Sequence, residues 1–316
     1  MRRIRLTALI AAFALAGPAM AAGWVEQKTE VQFQSKMMNR LAKGAADDVT
    51  KIYIHGDAKR TVTGNSGTVV DFEKDLVCQL KMKRKRATCA TTGQTREKMQ
   101  YVSQGFGGLL GGGNSDRAAD EGAQGGGDPS ADYEVSVDIR NSDDEEMVNG
   151  FKCKKSTWVF TAKRKGMSLE EGGGAIITVE MKIGPKLAVL DEIQAFDSRY
   201  AEAIGLPGGE QMAQAIRGSA GLGAAFKKLE DNQKEMPGSP IHTLMILENV
   251  AGKNGESAAG QGLGSALKGM FGGGGGGAKP GERTEAFRSI TEILAAGGTL
   301  DPADARVPAG FKLKME

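Results

Sequence analysis

Two stretches of strict period-two alternation constrain the fold of this chain more than anything else in it. Tyr133, Val135, Val137 and Ile139 fall on one side of an extended backbone, with Glu134, Ser136, Asp138 and Arg140 on the other. Ile177, Val179, Met181 and Ile183 alternate in the same way with Thr178, Glu180 and Lys182. Successive side chains of a strand point to opposite faces, so both stretches read as half-buried antiparallel strands with one apolar and one wet face. Further strands are predicted at 28–34, 49–55, 58–63, 67–72, 75–82, 86–91, 148–163 and 241–248. Gly56-Asp57 and Gly64-Asn65-Ser66-Gly67 supply tight turns between the early ones, and residues 25–92 read as a β meander.

Helical spacing enters later. Val189, Ile193, Phe196, Tyr200 and Ile204 form one stripe that stops at Gly205, with Pro207 beyond it. Met212, Ile216, Phe226 and Leu229 suggest a second helix at 209–230, weakened by Gly218, Gly221 and Gly223. Residues 283–295 suit either type: Phe287, Ile290 and Leu294 fit a helix, Thr284 and Thr291 a strand. The total is an α+β domain, one large antiparallel sheet packed on two or so helices.

The amino terminus reads as a secretory leader. Arg2, Arg3 and Arg5 precede an apolar run from Leu6 to Ala16 that is too short to span a bilayer. Gly17-Pro18 breaks the run, and Ala19-Met20-Ala21 offers small residues for cleavage before Ala22. Residues 1–21 are therefore expected to be a signal peptide and 22–316 a single domain, periplasmic or secreted. Ala22 is not Cys, so no lipoprotein attachment is expected. Cleavage takes the net charge from +2 to −1, because the leader carries three arginines and no acid. A near-neutral chain lacks the basic field that nucleic acid requires. Two glycine-rich tracts, 104–131 and 251–281, hold much of the chain's 46 glycines and read as flexible insertions, since ordering them loses too much backbone entropy.

An exported chain permits disulfides. Cys78 and Cys89 flank Met82-Lys83-Arg84-Lys85; if those four residues are a hairpin loop, Lys81 pairs with Arg86 and Cys78 lies opposite Cys89. That count places the cysteines on a non-hydrogen-bonded pair, where side chains approach most closely, so a Cys78–Cys89 bridge is expected. A two-residue loop would leave them opposite on the wider pair, and two buried thiols are the plain alternative. Cys153 is then left over, a small buried residue rather than a nucleophile. His55 and His242 have no metal-ligand spacing around them. Asp143-Asp144-Glu145-Glu146 lacks the alternation and central Gly of a calcium loop and reads as a solvated turn. No nucleotide cradle, cofactor motif or nucleophile elbow is present, so neither a cofactor nor an enzymatic activity is expected. The basic run Lys81, Lys83, Arg84, Lys85 and Arg86 is either a solvated hairpin tip or a contact for anionic lipid headgroups.

Lys51-Ile52-Tyr53-Ile54, Gly56-Asp57-Ala58-Lys59-Arg60 and Thr68-Val69-Val70-Asp71-Phe72 together resemble the opening of a family of exported bacterial proteins without an assigned activity. Asn149-Gly150-Phe151-Lys152-Cys153-Lys154, the Phe196 to Gly205 helix and Val307-Pro308-Ala309-Gly310-Phe311-Lys312 continue the resemblance. That family is similar to the LolA/LolB lipoprotein carriers. The resemblance implies a curved half-barrel sheet wrapped on helices, with an apolar cavity for acyl chains and no catalytic residues. The expectation is a non-catalytic carrier or binding protein for a lipid, lipoprotein or other hydrophobic ligand, its apolar face lined by Val189, Ile193, Phe196, Tyr200 and Ile204. A structural or interaction protein of the cell envelope is the alternative, and a hydrolase a remote one.

Overall fold

The computed structural model describes residues 22–34, 49–100, 133–206, 231–232, 236–253 and 279–316. Among these residues, twelve strands form one open, curved sheet built from two meanders. β1 (Ala22–Phe33), β2 (Val49–His55), β3 (Ala58–Thr63), β4 (Ser66–Asp71), β5 (Leu76–Lys81) and β6 (Arg86–Ala90) lie side by side in chain order. The second meander runs β7 (Tyr133–Val148), β8 (Phe151–Arg164), β9 (Gly174–Gly184), β10 (Ser239–Val250) and β11 (Arg283–Gly297), and β11 closes onto β1. β12 (Lys312–Met315) then lies against β6 at the far edge, parallel to it. The sheet is therefore mixed, where the alternation pattern pointed to a wholly antiparallel one. The reason is topological: β12 is reached by a crossover rather than a hairpin, and a crossover permits parallel pairing.

Several boundaries also differ from expectation. The ambiguous segment at 283–295 is strand, because β1 and β10 both pair with it and leave no backbone group over for a helix. The segment at 148–163 is cut at its start by a turn at Asn149 (φ 49°) and Gly150 (φ 85°). Asp143 to Glu146 is not a turn but part of β7, at a bulge where Asn141 opposes Ser156 and Glu145 opposes Lys154. Lysines on the neighbouring strands make the like-charge run tolerable there: Asp143 meets Lys154, Glu145 meets Lys152 and Glu146 meets Lys182. The short helices α1 (92–100) and α2 (Leu169–Gly172) carry no apolar stripe that periodicity could reveal. The leader at 1–21, the tract at 104–131 and the helix expected at 209–230 lie outside the described residues, as does most of the tract at 251–281. Ala251 N donates to Glu282 O and Gly281 N to Ala251 O, so that second tract joins two neighbouring strands.

α3 (Ala188–Ala203) is the helix that the stripe predicts. Its C-terminus ends on Ile204 and Gly205 (φ 75°), and Arg96 of α1 donates from Nε and Nη2 to the Ala203 carbonyl. A guanidinium on the last free carbonyls satisfies them and complements the helix dipole. Val189, Ile193, Phe196 and Ile204 are buried. Val189, Ile193 and Phe196 pack with Val25 of β1, Ile52 and Ile54 of β2, and Val70 and Val77 of β4 and β5. At Gly23 the strand comes so close that an added Cβ would lie 2.7 Å from Gly297 O and 2.8 Å from Val189 Cγ2. Gly23→Ala is accordingly expected to lower stability by about 1–3 kcal/mol, the usual range for overpacking. An unchanged urea midpoint would show that α3 shifts away at no cost.

The other face of the first meander carries a second cluster, Val69, Cys78, Leu80, Ala87 and Cys89, with Val307 and Phe311 from the C-terminal crossing laid against it. Cys78 and Cys89 are bonded, directly opposite each other with Cα atoms 4.0 Å apart. Met82 to Lys85 forms the four-residue loop, a 3-10 turn closed by Lys85 at φ 46°, and Lys81 faces Arg86. Arg306 secures the crossing through Glu73 and through buried Asp71, whose Oδ2 is 3.7 Å from its Nε.

Candidate functional site

The long strands of the second meander meet β1 in a register that aligns apolar residues across the sheet. Val137, Phe160, Ile177, Leu247, Phe287 and Phe33 stand opposite one another in turn, one from each of six strands from β7 to β1. The next row is Ile139, Trp158, Val179, Met245, Ser289 and Val31. The Phe33 and Phe287 rings meet at a tilt of 54°, with centroids 5.2 Å apart. Residues directly opposite share a face, so these rows make one apolar field. Val137 and Leu247 are buried, whereas Trp158, Phe160, Ile177, Val179, Met245 and Phe287 are only half-buried.

A row that is polar except for Met181 bounds the field: Asn141, Ser156, Met181, Thr243, Thr291 and Thr29. Several of its members are hydrogen-bonded to one another or to neighbours. Ser156 Oγ donates to Asn141 Oδ1 at 2.7 Å, Trp158 Nε1 donates to Ser156 Oγ at 2.8 Å, and Asn141 Nδ2 donates to Asn232 Oδ1 at 2.8 Å. Thr29 and Thr291 hydroxyls lie 3.3 Å apart. Beyond this row the sheet curls sharply. Asn149, in the β7–β8 turn, donates from Nδ2 to Ile293 O of β11 at 3.0 Å. A flat sheet would hold β8 and β11 roughly 14 Å apart, three strand spacings.

Of the stripe, Val189, Ile193, Phe196 and Tyr200 lie elsewhere, in the core beneath α3, and Ile204 is buried at its C-terminal end. Phe196 packs at a tilt against Phe72, ring centroids 4.9 Å apart, and Tyr200 is half-buried, its hydroxyl pushed to a higher pKa by that burial. Through β1, the stripe and the apolar field share one face, since Val25, Val31 and Phe33 have the same parity along that strand. None of Trp158, Phe160, Ile177 or Met245 belongs to the cluster under α3. Alternation reveals the strands that carry these residues. Their alignment into rows depends on register between strands far apart in sequence, which alternation does not encode.

The remaining candidates are dispersed. Lys81, Lys83, Arg84, Lys85 and Arg86 are all exposed around the β5–β6 turn. Cys153 is buried in the α3 cluster, and loss of hydration, with Glu146 nearby adding to it, pushes its thiol pKa up. His242 Nε2 is 3.7 Å from Glu292, its Nδ1 buried without a partner, and His55 ends β2 on the opposite side of β1. Among the described residues no group of three or more His, Cys, Asp and Glu is arranged to hold a metal. Two clefts of about 410 Å³ are lined mainly by polar or charged groups and backbone, one by Asn141, Asp143, Lys154 and Met236, the other by Arg164, Met167, Glu171 and Lys253. Neither contains the apolar rows. No helix among the described residues is long and apolar enough to cross a membrane. Compared with known proteins, the chain matches no protein-family model and no curated protein.

Proposed function

We propose that this is a non-catalytic extracytoplasmic protein that binds or carries a hydrophobic ligand, a lipid or the acyl chains of a lipoprotein, on a LolA/LolB-like sheet. The observation that carries the reading is the apolar field: two aligned rows across six strands, several of their large side chains half-exposed. In this reading the sheet curves around the rows, the acyl chain lies across them, and the polar row marks the headgroup end. Each buried CH₂ contributes about 0.8 kcal/mol, so even part of an acyl chain offers useful affinity. Export through cleavage before Ala22 belongs to the same reading, and the Cys78–Cys89 bond supports an oxidising compartment. The packed stripe under α3 favours a second reading, an envelope interaction protein whose apolar surfaces only pack.

The two tryptophans separate these readings. Trp158 stands in the apolar field, and Trp24, a neighbour of Gly23 and Val25, points to the other face of β1. In a Trp24→Phe variant, a bromine-labelled fatty acid is expected to quench the remaining Trp158 emission. Phe160→Glu, which sets a charge in the middle of the field, should weaken that uptake at least about tenfold, a difference of 1.4 kcal/mol. Absence of quenching by any acyl chain length, with no lipid found on protein purified from its host, would leave the interaction reading in its place.

A further inference from the structure

We propose that the tip of the β5–β6 hairpin and the C-terminal strand β12 together form an edge that docks onto an anionic lipid bilayer. Two separate observations meet there. Lys81, Lys83, Arg84, Lys85 and Arg86 are exposed, and β12 adds Lys312 and Lys314 beside them, its chain held by Lys312 N donating to Lys85 O at 2.8 Å. None of these cations has a carboxylate partner among the described residues. Elsewhere pairing is the rule: Lys51, Lys59, Lys152, Lys155, Lys163 and Lys182 each hold an acid. The unpaired charge is thus concentrated at one end of the sheet.

The second observation is apolar. Leu313 and Met315 are 63% and 54% exposed, although they stand opposite Ala87 and Cys89 and extend the row of the disulfide cluster. β12 is the last strand of the sheet among the described residues, and all four of its residues are exposed. Register puts Lys312 and Lys314 on the face of Arg86, and Leu313 and Met315 on the other. An edge-on approach brings both sets to one plane, the long lysine stems reaching headgroups while Leu313 and Met315 enter the acyl boundary. A polyanion such as nucleic acid would use the cations and leave the exposed Leu and Met without a role. An anionic bilayer uses both.

The test is sedimentation of the purified protein with vesicles of phosphatidylglycerol and phosphatidylcholine, against vesicles of phosphatidylcholine alone. Binding is expected to the anionic vesicles only and to weaken as salt is raised. Each cation near a charged leaflet is worth about fivefold in affinity, so Lys83→Glu/Arg84→Glu/Lys85→Glu should bind at least about a hundredfold more weakly. Leu313→Ser/Met315→Ser should lower binding at all salt concentrations, and Lys155→Glu, far along the sheet, should leave it unchanged. Equal binding to neutral vesicles, no binding to anionic ones, or full binding by the triple variant would overturn the proposal. Capture of heparin or DNA without vesicle binding would overturn it as well. Trp158 quenching by fatty acid should be untouched in the triple variant, which keeps this proposal and the ligand reading separable.

Discussion

Phe196→Ala is expected to lower the free energy of unfolding by about 3–5 kcal/mol. Phe196 is 3% exposed and lies at the centre of the stripe, between Ile193 one turn before it and Tyr200 one turn after. Its ring packs at a tilt against Phe72, centroids 4.9 Å apart, and two cations sit over it, Arg199 at 5.3 Å and Lys59 at 5.5 Å from the centroid. Those cations are themselves anchored, Arg199 to Asp57 at 2.9 Å and Lys59 to Asp197. Removing the ring leaves a cavity whose walls belong to a strand-backed core and collapse little, which places the variant toward the upper part of the range. Urea unfolding followed by circular dichroism reads the change directly. Fatty-acid uptake should be nearly unaltered below the transition, because the apolar field lies outside this cluster. A small stability loss with a large change in uptake would place the stripe in the ligand site after all.

The second large effect concerns the bridge. Replacing both Cys78 and Cys89 by Ala is expected to destabilise the protein by about 2–3 kcal/mol, since the bond closes a loop of about a dozen residues in the unfolded chain. The pair is 0% and 1% exposed and central to the second cluster, so lost sulfur contacts add to the entropic part. Unfolding of the variant against the wild type measures it. A thiol titration supplies the complementary check: denatured, unreduced protein should show one reactive thiol per chain, that of Cys153, and native protein none. Burial keeps Cys153 from water and from its thiolate form, so slow native reactivity follows from position alone. Two or more thiols in the denatured protein would mean that Cys78 and Cys89 are not bonded.

Much of the fold is legible in the sequence where local rules operate. β2 and β3 fall within the segments that alternation and the Gly56-Asp57 turn mark out, and α3 follows the stripe from Val189 to Gly205. The hairpin count brought Cys78 opposite Cys89, because a four-residue loop fixes pairing residue by residue. Each of these depends on contacts within some twenty residues. The acidic run at Asp143 shows the limit of such rules: its charge favours a turn, and only lysines on β8 and β9 make it strand.

What the sequence determined by itself is the vocabulary of strands, the one strong helical stripe and the bonded hairpin, all set by periodicity and turn chemistry. What only the tertiary structure decided is who stands beside whom. Phe33 meets Phe287 across 254 residues of chain, and β12 joins β6 across more than two hundred. The alternation of β7 and β9 is equally satisfied by any neighbour with an apolar face, so it leaves the rows of the field unspecified. The four residues Lys312 to Met315 are too short to announce a strand, and they become one because β6 offers an unpaired edge. Both the apolar field and the basic edge are products of that long-range pairing, in which each backbone hydrogen-bonding group must find a partner wherever the chain brings one.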